Sequence, residues 1–107
     1  MSINSGEILE RLFEVIESRK GMDPGSSYSA QLFEAGMPEI AKKVGEEAVE
    51  TITAALSEPK KITSESADLI YHLLVLWSAA GIKPVDVWSE LHKREGISGI
   101  IEKASRE

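Results

Sequence analysis

The chain has 107 residues, of which 42% are hydrophobic and 28% are charged, an ordinary composition for a globular protein. It contains no cysteine, which excludes disulfides, thiolate metal ligands and cysteine nucleophiles. Acidic residues outnumber basic residues by 18 to 12, and the formal net charge of −6 argues against nucleic acid or an anionic membrane surface as the main partner. We therefore expect a single domain over residues 1–107.

The N-terminal segment, MSINSGEILERLFEVIE, lacks the basic start and the continuous apolar stretch of a signal peptide. The most apolar segment, residues 69–82, contains Tyr71 and His72 and is too short to span a bilayer. We therefore expect a cytoplasmic protein.

Apolar residues recur at helical spacing along most of the chain, and no alternating strand pattern is visible. Asn4 or Ser5 is the predicted cap of the first helix, which should end near residue 20. Further helices are predicted over residues 28–34, 38–56, 59–80 and 84–95, with a short last helix from about residue 99. The sequence therefore predicts an all-α bundle of about five helices, pairing into a dimer that covers its apolar faces.

Two carboxylate pairs lie on the two central predicted helices, Glu47 with Glu50 and Glu65 with Asp68. Residues three apart share one side of a helix, and like charges there cost a lone helix roughly 0.2–0.5 kcal/mol per pair. Glu46 adds a fifth acid beside the first pair. Two repulsive pairs on consecutive helices suggest a task that offsets the repulsion, such as holding a divalent cation.

The link between these two helices, Ser57-Glu58-Pro59, is short, which predicts antiparallel neighbours with the acidic pairs side by side. The second helix is apolar almost all round over residues 67–80 and is expected to be buried. On the first helix the acids border a predicted buried sector, formed by Ile40, Val44, Ala48, Ile52 and Leu56.

Carboxylates without cysteine favour hard cations such as Mg²⁺, Mn²⁺ or Ca²⁺. A bound Mg²⁺ would suit attack of water on a phosphoanhydride, with a carboxylate taking the proton. The charge pattern alone leaves a solvated acidic face, or a helical interaction module, as the commoner interpretation. A di-iron bundle is excluded, because neither His72 nor His92 follows an acid by three residues.

Outside the acids, four side chains are candidates for substrate binding. Lys42 and Lys43 come one turn before the acids and could meet phosphate oxygens, Tyr28 could contact the substrate, and Arg94 could bind a phosphate. His72, one turn after Asp68, is expected to be buried and to orient that acid without binding the ion itself.

The sequence resembles a known family through several blocks. GEEAVE at residues 45–50 and ESAD at 65–68 resemble the E-x-x-E…E-x-x-D signature of the all-α NTP pyrophosphohydrolases. More closely, the chain resembles the phosphoribosyl-ATP pyrophosphohydrolases of histidine biosynthesis. The blocks that carry this likeness are SYSAQLF at 27–33, KKVGEEAVE at 42–50, ESADLIYHLLVLW at 65–77 and SGIIEKASR at 98–106.

The resemblance implies that Glu47, Glu50, Glu65 and Asp68 bind Mg²⁺. It also implies hydrolysis of the α–β bond of phosphoribosyl-ATP, giving phosphoribosyl-AMP and pyrophosphate, by a homodimer. Glu46 is the candidate for positioning or deprotonating the water, with Glu47 as the alternative.

Two residues depart from the family pattern: Ser29 stands where threonine is expected, and Glu39 where a basic residue is commoner. The alternative function is a house-cleaning pyrophosphohydrolase acting on dUTP or a modified NTP. It would share the acids, but the blocks at 27–33 and 98–106 argue against it.

Overall fold

The structure is a computed structural model that describes residues 5–106, and within this range it contains helices and no strand. The all-α prediction is therefore confirmed. Six α-helices follow one another, with a short 3₁₀ turn at Pro59–Lys61: α1 Glu7–Ser18, α2 Tyr28–Ala35, α3 Met37–Ser57, α4 Ile62–Ala80, α5 Pro84–Arg94 and α6 Gly99–Ala104.

Local signals explain where several helices begin and end. Gly6 occupies the N-cap position of α1, so the predicted cap at Ser5 is one residue early, although the Ser5 hydroxyl accepts a hydrogen bond from the Glu7 amide at 3.4 Å. Asn4 lies outside the described residues. The Ser27 hydroxyl caps α2 by accepting from the Ala30 amide at 3.1 Å. Gly36, with φ of 91°, reverses the chain so that α3 starts immediately after α2.

The buried core lies at one end of the molecule, where α1, α2, the start of α3 and the second half of α4 meet. Its side chains are Phe13, Ile16, Leu32, Ile40, Leu74 and Val75. The predicted burial of residues 67–80 is confirmed in part: His72, Leu74, Val75 and Ser78 are buried, whereas Ala79 and Ala80 are exposed. The first half of this helix is more open, since Ile70 is 40% exposed.

Helices α3 and α4 are antiparallel. Thr51 of α3 reaches Glu65 of α4, and one turn further from the connection Glu47 lies beside Asp68. The face of α3 that contacts α4 carries Glu47, Thr51 and the buried Ala54, at helical spacing.

The predicted buried sector of α3 is wrong in its second half. Ile40 is buried, but Ile52 is 58% exposed and Leu56 is 82% exposed. The reason is the orientation just described: with Thr51 and Ala54 facing α4, Ile52 and Leu56 point away from it. Together with Val49 they form an exposed apolar stripe on α3, hereafter the α3 stripe.

The α3–α4 pair extends beyond the core, and the chain is elongated. Its radius of gyration is 15.7 Å, whereas about 13 Å is expected for a compact domain of this length. No helix among residues 5–106 is both long enough and apolar enough to cross a membrane.

Candidate metal centre

Three carboxylates from two helices meet where α3 and α4 face each other. Glu47 of α3 and Glu65 and Asp68 of α4 each offer one oxygen, and these oxygens lie within 4.8 Å of one another. We call these residues the carboxylate triad. The triad confirms that the short α3–α4 link brings both acidic pairs together, because it takes members from each.

Glu50, the fourth predicted ligand, lies at the edge of the triad. It is exposed, yet its carboxyl is close enough to hydrogen-bond with Glu47 and with Glu65 when one partner is protonated. The structure therefore groups all four predicted ligands, with Glu50 on the solvent side.

Crowding perturbs the acids. Burial, hydrogen bonding to Glu50 and repulsion from Glu50, Asp68 and Glu65 raise the pKa of Glu47 to about 7. The pKa of Glu65 is also raised, by burial first and then by Glu50 and Asp68, while Lys61 opposes the rise. Both acids therefore hold protons more tightly than isolated carboxyls do, and a cation in the triad would relieve the repulsion.

Two oxygens of the triad lack any hydrogen-bond partner. Glu47 Oε2 and Glu65 Oε2 are both buried, and no donor within residues 5–106 reaches them. A buried carboxylate oxygen without a partner is costly, and such groups are usually paired or bind a metal. The oxygens of the triad are hard ligand atoms and lie close enough together to bind one ion. The triad therefore fits a divalent cation.

Thr51 connects the two halves of this centre, and the sequence analysis did not single it out. Its hydroxyl lies 2.8 Å from the Glu47 carbonyl and 3.3 Å from the Glu65 carbonyl, so it can donate to either. The hydroxyl therefore bridges α3 and α4 at the level of the triad. Its position four residues after Glu47 could have indicated the same helix face, but not the contact to α4.

His72 contacts a residue of the triad through its backbone. Its Nδ1 donates to the Asp68 carbonyl at 2.7 Å, rather than to the Asp68 carboxylate. Its Nε2 lies 3.0 Å from the Tyr28 hydroxyl, so the buried histidine connects α4 to the start of α2. Tyr71 packs edge-on against His72, with ring centroids 5.0 Å apart, and its hydroxyl is hydrogen-bonded to Ser29.

Tyr28 lies at the edge of the centre. Burial raises the pKa of its hydroxyl, and the charges of Lys43 and Glu47 are close enough to act on it in opposite directions. Tyr28 is 45% exposed, so it is accessible to a solute while its hydroxyl contacts His72.

The other predicted site residues lie outside the triad. Glu46 is exposed, and its carboxylate is 3.8 Å from the Lys43 ammonium, while Lys42 is exposed on the same helix. The Arg94 guanidinium donates to Glu90 at 3.2 Å on α5, so the structure does not bring it to the triad.

The all-helical fold and the carboxylates shared by two antiparallel helices define a class, the α-helical proteins with an acidic centre suited to a divalent cation. The sequence profile described as "Phosphoribosyl-ATP pyrophosphohydrolase" matches residues 9–95, and the chain belongs to this family.

Several proteins called phosphoribosyl-ATP pyrophosphatase are similar over nearly their whole length. The protein from Paramagnetospirillum magneticum is 59% identical, covering 94% of this chain and 93% of the relative. That from Parvibaculum lavamentivorans is 58% identical over 92% and 91% of the two chains. That from Azospirillum brasilense is 53% identical over 95% and 93%.

Proposed function

We propose that this protein hydrolyses phosphoribosyl-ATP to phosphoribosyl-AMP and pyrophosphate, the second step of histidine biosynthesis, with Mg²⁺ as its ion and in the cytoplasm. The observation that carries the proposal is the carboxylate triad, whose buried oxygens lack a partner, in a chain of this family.

Glu47, Glu65 and Asp68 would hold the ion, with Glu50 at the solvent side completing the set. When bound, Mg²⁺ neutralises the charge of the polyphosphate and polarises its phosphoryl oxygens. The residues of the chain then have to bind the substrate, orient it and take a proton from the attacking water.

Two neighbouring carboxylates can accept that proton. Glu47 has a pKa of about 7, which suits a base working near neutral pH, but a cation bound to it would lower its basicity. Glu46 lies outside the triad and stays available when the ion binds. We propose that one of these two is the general base, and comparison of their glutamine variants separates them.

Lys43 is proposed to bind a substrate phosphate. Its ammonium is 3.8 Å from Glu46, a loose pair that leaves the side chain 32% exposed. Exposed pairs of this kind contribute about 0–1 kcal/mol, so exchanging Glu46 for a phosphate oxygen costs little. Lys42 is exposed one residue earlier and adds positive charge for the same polyphosphate.

We further propose a homodimer in which the α3 stripe of one copy contacts a second copy. Val49, Ile52 and Leu56 are all more than half exposed, at residues i, i+3 and i+7 of one helix. A continuous apolar face of this kind on an elongated chain is typical of a helix that packs against a partner.

The proposed activity is tested by measuring pyrophosphate release from phosphoribosyl-ATP, with and without Mg²⁺. Equal concentrations of dUTP and ATP serve as control substrates. We expect release from phosphoribosyl-ATP only, and only with the ion. Faster release from dUTP would instead identify a house-cleaning enzyme, and no release from any substrate would refute a pyrophosphohydrolase.

The affinity for Mg²⁺ is expected to fall below about pH 7, because Glu47 has a pKa of about 7. An acid is protonated below its pKa, and a protonated carboxyl must lose its proton before it can bind a cation. If one proton is displaced, the affinity should weaken roughly tenfold for each pH unit below that value. Calorimetric titration with Mg²⁺ across this range measures the slope.

Proton release provides the control for this measurement. Titration in two buffers of different ionisation enthalpy counts the protons displaced, which should approach one below pH 7 and fall toward zero above it. An affinity that stays constant down to about pH 4, the ordinary range of a carboxyl group, would contradict a carboxylate site.

A further inference from the structure

Tyr28, Tyr71 and His72 form a cluster of three rings between the start of α2 and the middle of α4, hereafter the aromatic trio. Tyr28 and Tyr71 are stacked with centroids 6.1 Å apart, and each contacts His72 edge-on, at 5.7 Å and 5.0 Å respectively. His72 is only 6% exposed. Packing on both sides therefore fixes the orientation of the imidazole ring.

The partners of His72 determine which ring nitrogen carries the proton. The Asp68 carbonyl can only accept, so the nitrogen 2.7 Å from it, Nδ1, must donate. In the neutral imidazole the other nitrogen, Nε2, has no proton and is an acceptor. The Tyr28 hydroxyl, 3.0 Å from Nε2, must then be the donor of that hydrogen bond.

The direction of this hydrogen bond determines which groups the Tyr28 hydroxyl can bind. Its one proton is committed to His72, so the oxygen presents only lone pairs to other groups. Lone pairs repel phosphate oxygens, which are acceptors, and attract O–H donors. The charges of Lys43 and Glu47 both act on this hydroxyl, so it faces the same side of the molecule as the triad, and Lys43 is the donor of the protein that competes for its lone pairs. Among the substrate groups next to the reacting phosphates, the one that carries O–H donors is the ribose bonded to the α-phosphate.

We propose that His72 holds the Tyr28 hydroxyl as a pure acceptor, and that Tyr28 accepts a hydrogen bond from a hydroxyl of the ribose that carries the triphosphate. The inference rests on the proposed function, because it assigns a substrate contact within that site. Tyr28 is then a specificity residue, and His72 is a positioning residue that acts through it.

The first arm of the test compares substrates. Analogues of phosphoribosyl-ATP prepared from 2′-deoxy-ATP and 3′-deoxy-ATP each lack one hydroxyl of this ribose. With the wild type, one analogue should lose roughly tenfold in kcat/KM, as for a site left with an unmatched acceptor. Tyr28→Phe should lower kcat/KM for phosphoribosyl-ATP by a similar factor. This variant should then use phosphoribosyl-ATP and the affected deoxy analogue equally well.

The second arm tests His72 through two matched variants. His72→Asn keeps a donor near Nδ1 for the Asp68 carbonyl but offers Tyr28 no acceptor, whereas His72→Gln places an amide oxygen near the position of Nε2. We expect His72→Asn to lose discrimination against the deoxy analogue and His72→Gln to retain part of it. In the Tyr28→Phe background, His72→Asn should change kcat/KM by less than about twofold, since the two residues act as one unit.

Calorimetric titration with Mg²⁺ in the absence of substrate supplies a readout independent of activity. Tyr28→Phe should bind the ion as the wild type does, because it removes no ligand. The inference would be overturned if Tyr28→Phe lowered kcat/KM equally on phosphoribosyl-ATP and on both deoxy analogues. It would also be overturned if the effects of Tyr28→Phe and His72→Asn were additive. The proposed function would stand in either case. A wild type that releases no pyrophosphate from phosphoribosyl-ATP would overturn the proposed function, and this inference with it.

Discussion

Glu47→Gln is expected to weaken the binding of Mg²⁺ and to slow the release of pyrophosphate severely. Glu47 contributes the α3 oxygen of the triad, and one of its oxygens is buried without a partner. Glutamine has nearly the same shape but carries no charge, so it removes a ligand without leaving a cavity. We expect a loss of about 10³-fold in kcat/KM, the product of a weakened ion site and a lost carboxylate beside the reacting phosphate. Steady-state kinetics and calorimetry measure the two effects separately.

Glu46→Gln is the matched control, because it makes the same change one residue away. It should leave the Mg²⁺ affinity unchanged, since Glu46 lies outside the triad. A loss of about 10² or more in kcat would then identify Glu46 as the proton acceptor, whereas nearly full activity would assign that task to Glu47. Wild-type ion affinity in Glu47→Gln would contradict the site altogether.

Glu47→Gln should also stabilise the ion-free protein. Burial and repulsion raise the pKa of Glu47 from 4.5 to about 7, so ionisation favours the unfolded state from about pH 4.5 upward, and the full cost is present above about pH 7. A neutral amide removes this repulsion. A simple structural defect would lower thermal stability instead, so the direction of the change separates a lost ligand from a damaged fold.

The acidic centre could be predicted because it depends on local rules. Spacing of three residues places each acidic pair on one helix face, and the short link after Ser57 forces α3 and α4 to run antiparallel. Together these two rules bring Glu47, Glu65 and Asp68 to one place, without knowledge of the rest of the fold. The helices themselves follow equally local signals, such as the Ser27 cap and the glycine at residue 36.

Contacts between distant residues could not be predicted in this way. Periodicity groups Ile40 with Ile52 and Leu56, but it does not tell which part of a long helix meets the core and which part extends past it. The Thr51 hydroxyl that bridges to Glu65, and the Tyr28–His72 hydrogen bond across 44 residues, depend on how whole helices are packed. The phosphate contact of Arg94 stays a prediction, and in the single chain its guanidinium donates to Glu90 on the same helix.

Ile52→Asp is expected to convert the proposed dimer into monomers. Ile52 lies in the middle of the α3 stripe and is 58% exposed in the single chain, so the substitution removes little packing within one copy. In a two-fold interface each residue occurs twice, and two carboxylates must be buried when the dimer forms. At roughly 2 kcal/mol or more for each, the dissociation constant should rise about 10³-fold. Light scattering across a dilution series measures this change.

Val15→Asp is the control, because Val15 is a similarly exposed aliphatic residue, at 46%, on α1 and outside the stripe. It should leave the dissociation constant near that of the wild type, and helix content from circular dichroism should be equal in both variants. If Ile52→Asp remained dimeric while Val15→Asp dissociated, the interface would lie on α1 instead. The activity of the monomeric variant adds a second result. Because the triad belongs to one chain, ion binding should survive dissociation. Any loss of pyrophosphate release would then show that substrate binding needs the second copy.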